Sequence, residues 1–374
     1  MSKLKGSMFY KHDKDISDAL KQKTPSKNKL QNHLKNRGLL LSTEDTKEDI
    51  AEYIAPWFTS YFDQKFIVEE KGGGNTQKKY NNVEIDSEYD NNDLKDILKS
   101  IKRDKDLDMN FTVTSYENST IIEDSYTEPD FTKNTLSQNI PKTAEIEIIK
   151  TSEGKTLIRS NNDEYAKKIS SIIRNKLREK NPESYKEFVI DFSAITDSTI
   201  RTEFFFNLTK NVQGYKTTDM KSVAVDKIDS AESYEYGSEE GKEDEDDRTL
   251  GYIKRVMLNG GSVHQSPELM SLLDKGFYIT RIEWTMESNL TSGEKLDFYA
   301  EFRDTDNCSD FMYAIQKVYT RKQDGNFTVT GKPPSTMDNK VILPNIESSA
   351  KEAFKLAKQD PNEGQLEESH DEDD

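Results

Sequence analysis

The stretch DISDALKQKTPSKNKLQNHLKNRGLLLSTEDTKEDIAEYIAPWF, running from Asp15 to Phe58, reads as helix, helix, short extended link, helix. Ile16, Ala19 and Leu20 suit one short helix. Thr24-Pro25 predicts a helix start, with Thr as N-cap and Pro at the first helical position, where no backbone N–H is needed. Leu30 and Leu34 share a face at i, i+4. Gly38 suits the left-handed residue that ends a helix. Leu39–Leu41 is a short apolar link. Thr46 is expected to cap the next helix, with Glu48 and Asp49 in its first turn, where the helix dipole favours acids. Ile50, Tyr53, Ile54 and Trp57 form the expected buried stripe, continued by Phe58, Tyr61 and Phe62.

Leu30, Leu34, Gly38, Leu39, Leu40, Lys47, Ile50 and Ile54 follow a known pattern. Leucines four apart sit on a first helix, a glycine ends it, and an apolar link leads to a lysine that opens a second helix. In this the head resembles the SAP, or helix-extended-loop-helix, family of small nucleic-acid-binding modules. The resemblance implies a nucleic-acid partner and a phosphate contact at Lys47. The family usually has a glycine just before that lysine; here the residues are Asp45-Thr46. Glu44, Asp45, Glu48 and Asp49 also surround Lys47 and repel phosphate. The expected contacts are therefore Lys21, Lys23, Lys27, Lys29, Lys35 and Arg37.

The rest of the chain predicts an α+β fold with an antiparallel sheet. The expected division is a helical module over 1–68, a linker over 69–92, and an α+β body beginning over 93–228. An acidic disordered insertion follows over 229–249, then the remaining body with an antiparallel meander over 250–358, and an acidic disordered tail over 359–374. Gly72-Gly73-Gly74 opens the linker; it lacks the Gly-Lys-Ser/Thr ending of a phosphate loop. Ala144–Lys150 and Lys155–Ser160 flank Ser152-Glu153-Gly154 as a hairpin. Tyr165, Ile169, Ile172, Ile173 and Leu177 make an amphipathic helix. Phe188–Ile195 reads as a strand and Asp197–Val212 as a helix or strand. Ser266-Pro267 starts a helix that stops at Gly276. Leu296, Phe298, Ala300 and Phe302 alternate with Asp297, Tyr299, Glu301 and Arg303, which predicts one buried and one wet sheet face. Phe327–Val329 is a further short strand, and Ile346–Ala357 a final helix.

The formal net charge of −17 argues against a nucleic-acid partner until it is mapped. Asp226–Leu250 carries 11 acids against 3 bases, and Asp360–Asp374 carries 8 acids and no base. Met1–Leu40 carries 10 bases and 3 acids. The excess acid thus sits in two appendages, and the head is basic.

With 1 cysteine, Cys308, no disulfide framework or cysteine-built zinc site is expected, and 4 histidines do not suggest a metal site. No cofactor is expected. Met1–Lys14 does not read as a signal peptide and no long apolar run exists, so a cytoplasmic protein without membrane contact is expected. No catalytic motif stands out. His264 precedes a helix start, where a capping or surface role fits. Glu147 and Lys150 lack the Glu-x-Lys spacing of metal-dependent nucleases and suit the wet face of an edge hairpin. Asp191 sits in an apolar run, where it could serve a site or be one of the inward-pointing acids common at sheet edges.

These observations predict a DNA-associated accessory protein that binds nucleic acid non-specifically through its basic N-terminal helices. The plan, a small helical head on an α+β body, resembles components of bacterial phage-defence or mobile-element systems. Two other classes fit the same residues. One is a scaffold whose head docks a partner protein. The other is a metal-dependent hydrolase or nuclease with a carboxylate site.

Overall fold

A computed structural model of the chain describes residues 12–58, 60–72, 78–86, 89, 91–103, 111–132, 136, 138–180, 182–183, 185–210, 212–227, 253–290 and 293–359. The acidic insertion and the tail fall almost wholly outside these residues. In chain order the elements are α1 (Asp13–Lys21), α2 (Lys27–Asn36), α3 (Lys47–Ile54), α4 (Tyr61–Gly72), β1 (Tyr80–Ile85), α5 (Asn91–Arg103), β2 (Thr112–Ser115), β3 (Ser119–Pro129) and β4 (Asn139–Lys150). Next come β5 (Thr156–Asn161), α6 (Glu164–Lys180), β6 (Glu187–Phe188), α7 (Ser198–Lys210), β7 (Tyr215–Lys227) and β8 (Arg255–Asn259). The last are α8 (Pro267–Asp274), β9 (Phe277–Ser288), β10 (Lys295–Asp304), β11 (Ser309–Tyr319) and α9 (Thr336–Lys358). The fold class is α+β, and the paired strands are antiparallel.

Internal contacts divide the chain into two units. The first is Met1–Thr76, Lys99–Thr114 and Ile121–Glu145; the second is Gln77–Leu98, Ser115–Thr120 and Ile146–Asp374. This division cuts across the boundaries expected at 68 and 92.

In the first unit, α1 to α4 close on Ile16, Ala19, Leu20, Leu30, Leu34, Ile50, Ala51, Ile54, Phe58 and Ile67. The local signals act as expected at two helix ends. Thr46 and Asp49 form a reciprocal capping box on α3. Gly38, at φ +80°, donates its N–H to Lys35 O while Leu39 N donates to Leu34 O, the pair of hydrogen bonds that ends α2. The start of α2 differs. Its N-cap is Ser26, whose Oγ accepts from Lys29 N, and the Thr24-Pro25 peptide before it is cis. Ser26 is the better-placed cap because its hydroxyl reaches an otherwise unpaired first-turn N–H.

In the second unit the strands run Ile146–Lys150 of β4, then β5, β1, β11, β10, β9, β7 and β8. Phe204, Phe205, Leu208, Trp284, Phe298, Phe302, Phe311, Ile342, Ile346 and Phe354 fill the core under α7 and α9. The expected linker 69–92 therefore holds a sheet strand, β1. Its Asn81, Asn82 and Glu84 disguise it in sequence, yet Asn81 accepts from Ser160 Oγ at 2.5 Å and Glu84 accepts from Lys155 and Lys351.

Strand β1 pairs with β5 along its whole length but meets β11 only at Tyr80↔Tyr313. Beyond that point β6 takes the same edge, with Glu84 opposite Phe188 and Ile85 opposite Glu187. The sheet forks here, and this is all the strand that forms within the expected run Phe188–Ile195.

The expected wet face of the meander is largely closed over: Asp297 and Tyr299 are buried, Glu301 is half-buried and Arg303, at its end, is exposed. Asp297, 4% exposed, accepts from Lys221 Nζ at 2.6 Å, Thr285 Oγ1 at 2.8 Å and Tyr319 OH at 2.8 Å. Lys79 Nζ lies 4.1 Å over the Tyr299 ring and bonds Glu301. Long basic side chains close over polar groups that hydrogen-bond one another, so period two here separates apolar from polar rather than dry from wet. Phe327–Val329 forms no strand; Phe327 makes one isolated bridge to Arg321. The last helix starts ten residues earlier than expected and runs through Pro344.

Candidate nucleic-acid interface on the helical head

The six cations expected to meet phosphate lie on α1, α2 and the turns beside them, and four of them are engaged inside the head. Lys21 Nζ is 2.5 Å from Glu52 Oε1, and Lys29 Nζ is 2.6 Å from Glu70 Oε2. Lys27 Nζ donates to Thr43 O at 3.1 Å. Arg37 is paired with the buried carboxylate of Asp63. Lys23 and Lys35 are exposed and make no ion pair among the described residues. Exposed pairs such as Lys21–Glu52 are weak and open readily to another anion. The Arg37 pair is different.

Asp63 ties α2 to α4. It accepts from His33 Nε2 at 2.9 Å, from Ser60 Oγ at 2.6 Å and from Arg37. Burial pushes its pKa up, but the bonds from Ser60, His33 and Arg37 outweigh this and hold it below the usual carboxylate range. His33 stacks on Phe66, with ring centroids 4.1 Å apart. Arg37 is thus a structural cation first.

Lys47, the contact implied by the family resemblance, is turned inward. Its ammonium donates to Gln22 O at the C-terminal end of α1, and burial lowers its pKa. It satisfies a helix-end carbonyl and is half-buried.

The aromatic residues overturn part of the expected stripe. Ile50 and Ile54 are buried with Ala51, Ala55 and Phe58, but Tyr53 is 67% exposed and Trp57 68%. Phe62, at 73%, and Tyr61 are exposed as well, and their rings meet edge to face at 5.6 Å. The small residues Ala51 and Ala55 are the ones that face the core, so the buried stripe is rotated away from Tyr53 and Trp57. Leu39 and Leu40 of the link are also exposed. One clue in the sequence was readable: Ala51 and Ala55 repeat at the same i, i+4 spacing as Tyr53 and Trp57. The overall charge is modest, since residues 12–72 hold 10 Lys or Arg against 11 Asp or Glu.

The residues weighed for catalysis are used structurally. Asp191 is exposed and accepts from Ser193 N at 2.7 Å, closing a turn. Glu147 lies on β4 directly opposite Arg159 of β5. Its carboxylate accepts from Arg159 Nη1 at 2.6 Å, and Glu347 takes the other two guanidinium bonds at 2.5 and 2.7 Å. Burial opposes the charge of Arg159, but Glu347 more than restores it and raises its pKa. A groove of about 370 Å³ lies over this cluster, lined by Leu157, Phe188, Pro344 and Lys351 among others. Ser266, not His264, caps α8, accepting from Leu269 N at 3.2 Å. Among the described residues no three His, Cys, Asp or Glu side chains gather as around a metal ion. No helix among them is long and apolar enough to cross a membrane.

Neither a protein-family model, a curated protein nor a solved structure matches this chain.

Proposed function

We propose that the protein is a nucleic-acid-associated accessory protein whose helical head holds single-stranded nucleic acid. The observation that carries this reading is the set of exposed rings, Tyr53, Trp57, Tyr61 and Phe62, on a head that also presents Lys23 and Lys35 unpaired among the described residues. Exposed rings give bases a sequence-tolerant stacking surface, at about 1–3 kcal/mol per base. Unpaired lysines take phosphates and release counterions. Duplex DNA offers no free base faces, so the rings favour single strands.

The test uses the tryptophans. Trp284 is fully buried and Trp57 exposed, so oligonucleotide added to the full chain quenches emission through Trp57 alone. Quenching by oligo(dT) at low salt, lost in Trp57→Phe and weaker with duplex of equal length, is the expected result. No quenching by any oligonucleotide at 50 mM salt sinks the proposal. A second reading, in which the head docks a protein, is favoured by the same exposed rings and by the near balance of charge over 12–72. It predicts that failed titration.

A further inference from the structure

The fork in the sheet has a second cavity, opposite the groove over Arg159. It encloses about 200 Å³, and its lining includes Asn81, Asn82, Ser160, Lys167, Ser170 and Arg174. Lys167, Ser170 and Arg174 are spaced i, i+3, i+7, which sets them on one face of α6.

Its polar groups are unevenly used. The acceptors are occupied: Asp310 is bonded by the Lys167 ammonium, and Asn81 Oδ1 by Ser160 Oγ at 2.5 Å. Several donors are not. Ser170 is 5% exposed and its hydroxyl bonds to nothing among the described residues. Arg174 gives Nη1 to Glu187 Oε2 at 3.1 Å, but its Nε is sealed from solvent without an acceptor. The Asn82 side chain has no partner among the described residues either. Donors left unpaired among the described residues around one cavity suit a ligand rich in lone pairs.

We propose that this cavity binds a small oxyanion, a carboxylate or phosphate group. The Arg174 guanidinium, the Ser170 hydroxyl and the Asn82 amide donate to it, beside the Lys167–Asp310 pair. Arginine suits such groups because its planar fork matches their oxygens. The volume is below that of sites for drug-sized ligands, roughly 300–1,000 Å³. Val83, Val189, Ile190 and Phe311 line the remainder and leave apolar wall for a short carbon chain. The site is independent of the head and of its reading.

The test is calorimetric melting of the full chain in chloride buffer at constant ionic strength, titrated with inorganic phosphate or with butyrate. The expected result is a rise in melting temperature that saturates with at least one probe. Apparent affinity falls at least tenfold in Arg174→Gln and several-fold in Ser170→Ala. The probe that saturates identifies the source of the oxyanion. If neither saturates, the proposal is wrong. It is equally wrong if the rise is the same in both variants, as a general stabilisation by excluded salts would be. Should Arg174→Gln fail to fold, Ser170→Ala decides, because it deletes one donor and almost no volume.

Discussion

Glu347→Ala is the sharpest perturbation of the body. Arg159 is 4% exposed, and all three of its carboxylate contacts are short: Nε and Nη2 to Glu347 at 2.5 and 2.7 Å, Nη1 to Glu147 at 2.6 Å. Tyr313 also donates its hydroxyl to Glu347. Removing Glu347 takes two of three bonds from a buried guanidinium and leaves the Tyr313 hydroxyl unpaired. Breaking a buried pair from one side costs about 3–5 kcal/mol. At about 2–4 °C per kcal/mol for a unit of this size, melting of the body falls by roughly 6–20 °C. The assay is urea unfolding followed by Trp284 emission in a Trp57→Phe background, which makes the signal report the body alone. The triple variant Glu147→Gln/Arg159→Met/Glu347→Leu removes all three charges of the cluster and keeps the bulk. It should cost clearly less than Glu347→Ala, because the penalty lies in the stranded charge and not in the lost bond. A loss below about 1 kcal/mol in Glu347→Ala, or a triple-variant cost no smaller than that of Glu347→Ala, refutes the reasoning.

Asp63→Ala should destabilise the head by about 1–3 kcal/mol, since it strands His33 and Arg37, read by loss of helical circular dichroism on heating. Arg37→Ala should weaken oligonucleotide binding only in step with that destabilisation. For phosphate contact, the Lys23→Ala/Lys35→Ala pair should lower the log–log salt slope for single strands by about 1.4, at about 0.7 per phosphate; six working cations would give a slope near −4 in the parent. The pKa of Asp297 is pushed up by burial but held below the usual range by Lys221, Tyr319 and Thr285. Its folded value lies under its unfolded one, so its stabilisation is full above about pH 4 and is lost as pH falls through the folded value; Asp297→Asn should flatten the acid limb of the urea midpoint against pH.

Features fixed by near neighbours in sequence were readable, and those fixed by distant partners were not. The Thr46–Asp49 box, Gly38, the turn at Gly154 and the alternation of β10 each depend on residues a few positions apart. Strand β1 could not be recognised because Asn81 and Glu84 become acceptable in a sheet only through Ser160, Lys155 and Lys351. Arg159 and Glu347 are 188 positions apart, and nothing local marks either as buried. The first half of α9 was hidden by Pro344, normally a helix breaker, which here lines the groove.

The same distinction bears on the head. Its basic character over Met1–Leu40 was a count along the chain, and the fold changes what the count means. Folding brings Glu52 to Lys21, Glu70 to Lys29 and Asp63 to Arg37, each from a helix the count left out. The charge available to phosphate is therefore smaller than the sequence suggests, and the rings are more available than the periodicity suggests. A head with Lys23 and Lys35 unpaired among the described residues, and with Tyr53, Trp57, Tyr61 and Phe62 exposed, should bind single strands with a shallow salt slope, because stacking carries more of its affinity than counterion release. A steep slope together with silent Trp57 emission would mean that phosphate contacts dominate and the rings serve some other partner.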